Sequence, residues 1–266
     1  MIEILISPKR AKREPWELLL LSAFFVSLAV VVNLTIPSLE GGVVTFAMIP
    51  AIPLVWALLV REERDDERMA MLKTRSFRYH LPLVEVFGFF FLGATIAYMA
   101  WYAALATINP ETADTLFSSQ LKEIRAIGLS SNNAAGNIIQ PSFALHVLEH
   151  NLTVLAFMFI FTLVYGIGSI YLLLWNASII GVFIGTKLTQ LGVPGLLQSV
   201  LAILPHGILE VTAYFLASIA GGILSFALMR EHHKREEFKF ILTDVALITV
   251  VAIAALLLAA ILESTS

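Results

Sequence analysis

The sequence predicts an all-α, multipass membrane protein with about seven transmembrane helices and broken or short helices between residues 166 and 205. Three observations carry this. The chain is 58% hydrophobic and only 14% charged, against about 45–50% and about 25% in soluble domains. Apolar runs about as long as a bilayer core requires recur along it. Its 17 Lys and Arg residues are segregated: residues 1–15 hold four, 61–78 hold six and 230–239 hold four, which is 14 of the total. The composition excludes disorder, collagen and a soluble globular fold. A net charge of −3 gives no sign of a nucleic-acid partner. The absence of Cys excludes disulfides, thiolate metal sites and Cys nucleophiles.

The first apolar run, 16–36, follows a basic segment and is longer than a signal peptide's apolar region, so it reads as a retained first span. The second, 43–60, contains Pro50 and Pro53. Each proline removes a backbone donor and favours a structural kink, with a moving hinge as the other reading. Residues 61–80 break the apolar pattern with six Lys/Arg against five Asp/Glu. They read as a solvated hairpin or short helical extension, or as a docking site for a soluble partner. The third span, 82–105, opens on Pro82, whose missing N–H costs nothing in a first turn.

Residues 106–145 form the long polar connection, a cap in which 113–127 suits a short amphipathic helix and 130–142 a loop. From 151 to 230 the chain is almost continuously apolar but punctuated by Gly, Asn and Pro. The expected division is helix 150–172, helix 174–191, an interfacial or re-entrant piece 194–204, and helix 205–229 beginning at Pro205. The last span is 241–262, after a charged connector. The segments are thus a basic N-terminus 1–15, a three-helix part 16–105 with its loop 61–80, a cap 106–145, a broken-helix module 146–230, and a connector with the last helix, 231–266. Seven spans place all three basic segments on the cytoplasmic side, and the cap and C-terminus outside. Six spans would put 230–239 outside, against the charge bias.

The most informative stretch is Leu204-Pro205-His206-Gly207-Ile208-Leu209-Glu210. His206 and Glu210 are four apart and share a helical face, which continues through Ala213, Ala217 and Gly221. Small residues let membrane helices approach closely, and Gly181-x3-Gly185 predicts a second such contact. An ionisable side chain inside a membrane is costly and needs a partner. The pair is either a structural tie or a site for an ion, substrate, proton or catalytic step. If helices 150–172 and 205–229 both start outside, then Glu149, His150 and Asn151 lie level with His206 and Glu210. The two helix starts should then converge and share hydrogen bonds, with Asn176 the one other polar group in the module's path.

These features resemble the stage II sporulation protein M family. The matching elements are Asn151 at a helix start, Gly166-x-Gly168, Asn176-x4-Gly181-x3-Gly185, Leu204 to Glu210, and the small-residue helix to Gly222. The resemblance covers about residues 146–230. The family pattern often has Asn-Gly where this chain has Asn176-Ala177. Residues 1–110 and the last span carry no such resemblance. It implies a multipass membrane protein, of a family whose sporulation member is not itself known as an enzyme. The sporulation member helps recruit wall-degrading enzymes during engulfment. Relatives in organisms that neither sporulate nor build that wall imply a more general shared role.

A second pattern points elsewhere. His146-Val-Leu-Glu149-His150 fits the H-x-x-E-H signature, in which two histidines one turn apart hold Zn²⁺ and the Glu serves as base. Glu210 would be a third ligand; a pair of interfacial histidines is the plain alternative. His232-His233 lies in a charged connector and reads as solvated. Three glycosylation-like matches (Asn33, Asn151, Asn176) lie in or against spans and read as chance. The residues suggest no cofactor. The leading functional expectation is a membrane scaffold or assembly factor, in contact with the bilayer and with membrane or soluble protein partners, and compatible with a homo-oligomer. The rivals are a transporter or channel, and a membrane-embedded metal-dependent hydrolase.

Overall fold

The computed structural model describes residues 7–36, 42–71, 79–126, 141–230 and 238–265. Within these the chain is helical: α1 (Pro8–Arg13), α2 (Glu17–Thr35), α3 (Val43–Met71), α4 (Leu81–Ile108), α5 (Pro110–Leu116), α6 (Ser118–Ala126), α7 (Pro141–Tyr165), α8 (Ser169–Met229) and α9 (Phe238–Thr265). Six of the helices are long and apolar enough to cross a membrane. The longest, α8, breaks at Gly192 into limbs 169–191 and 193–229. With the limbs taken separately, the described residues offer seven candidate crossings. The chain is an all-α multipass membrane protein.

Several boundaries differ from the sequence expectation, each for a physical reason. The division expected between residues 172 and 174 lies instead at 166–168, between α7 and α8. The first limb of α8 ends at Gly192, where the expected helix 174–191 also stops, and no second break follows at Pro205. Gly192 has φ 66° and ψ −157°, a region open essentially to glycine alone. The helix then runs unbroken through Pro194 and Pro205. Residues 194–204 are therefore the start of the second limb and not a separate piece. Pro194, two residues past the reversal, sits where a first-turn proline loses no hydrogen bond. The expected cap helix is two helices, α5 and α6, divided at Phe117. The loop expected at 130–142 falls mostly outside the described residues, as does His232-His233; its last two residues begin α7. The segment 61–80 begins as an extension of α3 to Met71, and Glu62 and Glu63 in it are buried, at 2% and 0% exposure. They are not solvated.

α8 is the hub, packing on α3, α4, α6, α7 and α9. In a bilayer no hydrophobic effect draws helices together, so close packing must do so. Glycines supply it. A Cβ on Gly221 would stand 2.6 Å from the Phe159 carbonyl oxygen of α7. One on Gly181 would stand 2.6 Å from the Thr95 carbonyl of α4, and one on Gly185 3.0 Å from that of Met99. Ala213 and Ala217 are fully buried beside Gly221. Aromatic edges fill the wider gaps: Phe215 meets Phe87 and Phe91 of α4, and Phe226 meets Trp56 of α3.

The order of contacts fixes helix directions. Along α7 and the second limb of α8, Asn151 meets Tyr214, Met158 meets Ser218, and Phe159 and Thr162 meet Gly221. Both numbers rise together, so the two are parallel. Gly181 and Gly185 likewise meet Thr95–Tyr98 and Met99–Tyr102, so the first limb runs parallel to α4. The reversal between α7 and α8 falls at Gly166, whose φ is 73°. There Thr162 Oγ1 accepts from the Ser169 N–H at 3.2 Å, satisfying a donor of α8's first turn.

Packing at the glycines is testable by contrast. Gly221→Ala should lower stability in detergent by about 1–3 kcal/mol, because the methyl meets backbone. Gly192→Ala should cost a similar amount through backbone strain, although its surroundings are open, with Pro194 Cδ 3.8 Å away. Gly88→Ala meets only the Phe215 ring, at 3.9 Å. It should be neutral or raise stability by up to about 1 kcal/mol through helix propensity. Thermal unfolding of the three variants checks this; equal behaviour at all three sites would mean the close approaches do not hold the bundle.

Candidate functional site

α7 and the second limb of α8 are parallel, and Asn151 of α7 stands level with Glu210 and Tyr214 of α8. Asn151 faces inward from α7 and is buried. Its Nδ2 donates to Glu210 Oε1 at 2.6 Å, and its Oδ1 accepts from the Tyr214 hydroxyl at 2.9 Å. Glu210 and Tyr214 are four apart on α8 and share a face. The amide must point this way: a carboxylate only accepts, and the phenol has its proton to give. One more turn along, Ser218 Oγ donates to the Tyr214 carbonyl at 2.8 Å and lies 3.7 Å from Met158 Sδ. The interface thus begins polar at one end and becomes apolar and glycine-lined toward Gly221.

Glu263, near the end of α9, lies close enough to Glu210 for the two charges to interact. His206 is half-buried, one turn before Glu210, and among the described residues its Nδ1 is buried without a hydrogen bond. Of the residues singled out from sequence, the structure brings together Asn151 and Glu210 and places His206 beside them. Glu149 and His150 are exposed. Glu149 lines an apolar groove with Leu148, Leu152, Thr153 and Ala156 on the outer side of α7. Asn176 donates to the Leu172 carbonyl of its own helix at 2.8 Å and stands apart from the cluster. The side chain of His146 lies outside the described residues. Among the described residues, no three His, Asp or Glu side chains gather at metal-binding distance.

A second polar constellation, not anticipated from sequence, lies at the opposite end of the bundle. Glu62 Oε2 accepts from Lys12 Nζ of α1 at 2.5 Å, and Glu62 Oε1 pairs with Nδ1 of His80, which caps α4, at 2.7 Å. Its neighbour Glu63 accepts from the Arg230 guanidinium at the end of α8 at 2.6 Å. Two adjacent carboxylates, buried among apolar helix ends, thereby tie α1, α3, α4 and α8. They also gather parts of all three basic segments at one end. Tyr214 and Glu263 were equally missed. The signal for Tyr214 was available in its four-residue spacing from Glu210.

The Asn151–Glu210 tie makes a quantitative prediction. Asn151→Ala and Glu210→Ala should each destabilise the protein, and the double variant should lose less than the sum. Hydrogen bonds between membrane helices couple by about 0.5–2 kcal/mol in such cycles. Additive losses in detergent unfolding would show that the two side chains do not act together.

The profile of the stage II sporulation protein M family matches residues 86–266. The match is wider than the sequence motifs indicated. It takes in most of α4 and all of α9, where the sequence alone offered no resemblance. These are helices that pack extensively on α8, so the matched region is a packing unit centred on the hub. Comparison with curated proteins and with solved structures gave no match. The match covers well over half of the chain and includes every element of the Asn151–Glu210 interface: the protein belongs to the stage II sporulation protein M family.

Proposed function

We propose that the protein is a membrane scaffold or assembly factor that organises partner proteins. The observation that carries this reading is the construction of α5 and α6. Their inner face is fixed to the bundle. Ala113, Leu116, Phe117 and Ile124 are buried, Phe117 packs edge-on against Tyr98 and Tyr102, and Gln120 Nε2 donates to Ser178 Oγ of α8 at 3.2 Å. Their outer face carries exposed Glu111, Asp114, Lys122 and Arg125. A short helical pair anchored on one side and charged on the other presents a preorganised surface, which lowers the ordering cost of binding.

In this reading the end tied by Glu62 and Glu63 faces the cytoplasm, following the Lys/Arg bias, and α5, α6 and the C-terminus face outward. The Asn151–Glu210–Tyr214 cluster holds the helices. Transport is the second reading. It draws on the partly exposed Glu210, set beside Glu263 in a module of broken helices.

Two measurements check the proposal. In this Cys-free chain, Asp114→Cys should label with an impermeant maleimide in intact cells, and Arg64→Cys only after permeabilisation; the reverse pattern refutes the orientation. In cross-linked native membranes, the triple variant Asp114→Lys, Lys122→Glu, Arg125→Glu should lose at least about tenfold of the proteins captured with the wild type, with an unchanged unfolding midpoint. That size corresponds to about 1.4 kcal/mol of binding. Retained capture by this variant, together with solute uptake that Glu210→Gln abolishes, would favour transport instead.

A further inference from the structure

We propose that α1 and the extended end of α3 form a headgroup site for anionic membrane lipids. Lys9 and Arg13 are four apart on α1, and both are exposed. Arg64 and Arg68 repeat that spacing on α3, also exposed. The two helices are in contact, and the contact is pinned. Ala11 is fully buried, Lys12 is bound to Glu62, and Arg10 is bound to Glu17. α1 is therefore a fixed platform, not a free basic tail. With its inner cation spent on Glu62, Lys9 and Arg13 are left on the surface.

The depth of this platform follows from α2. Leu20, Phe24 and Leu28 are exposed at four-residue spacing, two of them by more than half, and form an apolar stripe suited to lipid tails. The stripe stops at Trp16, which is itself 53% exposed. Exposed Trp marks the boundary between tails and headgroups. α1 lies just past that boundary, at the level where lipid phosphates lie.

Several acids on these segments already face cations. Glu17 is taken by Arg10, and Asp65 lies 3.6 Å from Lys12 and 3.7 Å from Arg61. Glu14 at the C-cap of α1 and Glu67 on α3 are half-buried. The exposed cations Lys9, Arg13, Arg64 and Arg68 are complementary to a lipid phosphate. This inference is independent of the scaffold reading, because it uses neither α5 and α6 nor the Asn151–Glu210 interface.

The test compares phosphatidylglycerol with phosphatidylcholine retained by the purified full-length protein in native mass spectrometry, from mixed micelles containing equal amounts of each. The wild type should prefer phosphatidylglycerol. Lys9→Gln, Arg13→Gln, Arg64→Gln should weaken that preference by on the order of fivefold for each charge removed. Lys122→Gln, Arg125→Gln, at a different face, should leave it intact. The wild-type preference should also collapse between low and high salt, which decides the matter even if the triple variant does not fold. A preference unchanged in the triple variant, insensitive to salt, or abolished by free inorganic phosphate would overturn the proposal.

Discussion

The parallel packing of α7 against the second limb of α8 is the contact on which the rest of the structure depends. Two helices adjacent in sequence and joined by a tight turn are antiparallel. A parallel pair needs a third crossing between them, and here the first limb of α8 supplies it. Both reversals fall at glycines with positive φ, Gly166 and Gly192. Only then do Asn151, Glu210 and Tyr214 stand level, so that a carboxylate among helices finds a donor. In a medium without water, an unmatched carboxylate there would cost several kcal/mol. The hydrogen bonds therefore select the register, and the glycine ridge from Ala217 to Gly221 tightens it.

The opposite end follows the same logic with full charges. Glu62 and Glu63 are buried among helix ends, and each is matched by a cation or imidazole from another segment. Buried ion pairs add little net stability, but removing one partner typically costs about 3–5 kcal/mol. Such pairs act chiefly by penalising wrong arrangements. Arg230 reaches Glu63 only if α8 ends beside α3, and Lys12 reaches Glu62 only if α1 folds back against the bundle. One end of the bundle is thus specified by charges and the other by an amide bridge, with glycine contacts between.

The apolar helices were legible because composition acts locally; Gly166-x-Gly168 stood out only through the family resemblance, and the expected helix 150–172 ran through it, whereas α7 ends at Tyr165. The convergence of Asn151 and Glu210 was legible from span counting alone, since parity places both helix starts at one level. Glu62 and Glu63 were not. Five acids among six cations look like a solvated segment, and their burial is decided by Lys12 and Arg230, which come from distant parts of the chain. A second break was expected at Pro205, where the helix in fact continues, for a related reason. Pro205 is a conspicuous helix start, yet an exposed proline can continue a membrane helix, whereas the backbone of Gly192 can be known only from its angles. Glu263 escaped notice because nothing in its sequence neighbourhood announces that α9 returns to Glu210.

The most direct test of the parallel arrangement is disulfide cross-linking in this chain, which contains no native Cys. Met158→Cys with Ser218→Cys marks the pivot and should link under mild oxidation in either direction of packing. Asn151→Cys with Tyr214→Cys should link if α7 and the second limb of α8 run parallel, as their shared hydrogen bond requires. An antiparallel pair crossing at the same pivot would instead bring residue 151 to Ser225. Efficient linking of 151 with 214 and none with 225 is the expected result; linking of 151 with 225 in place of 214 would contradict the parallel interface and every contact built on it.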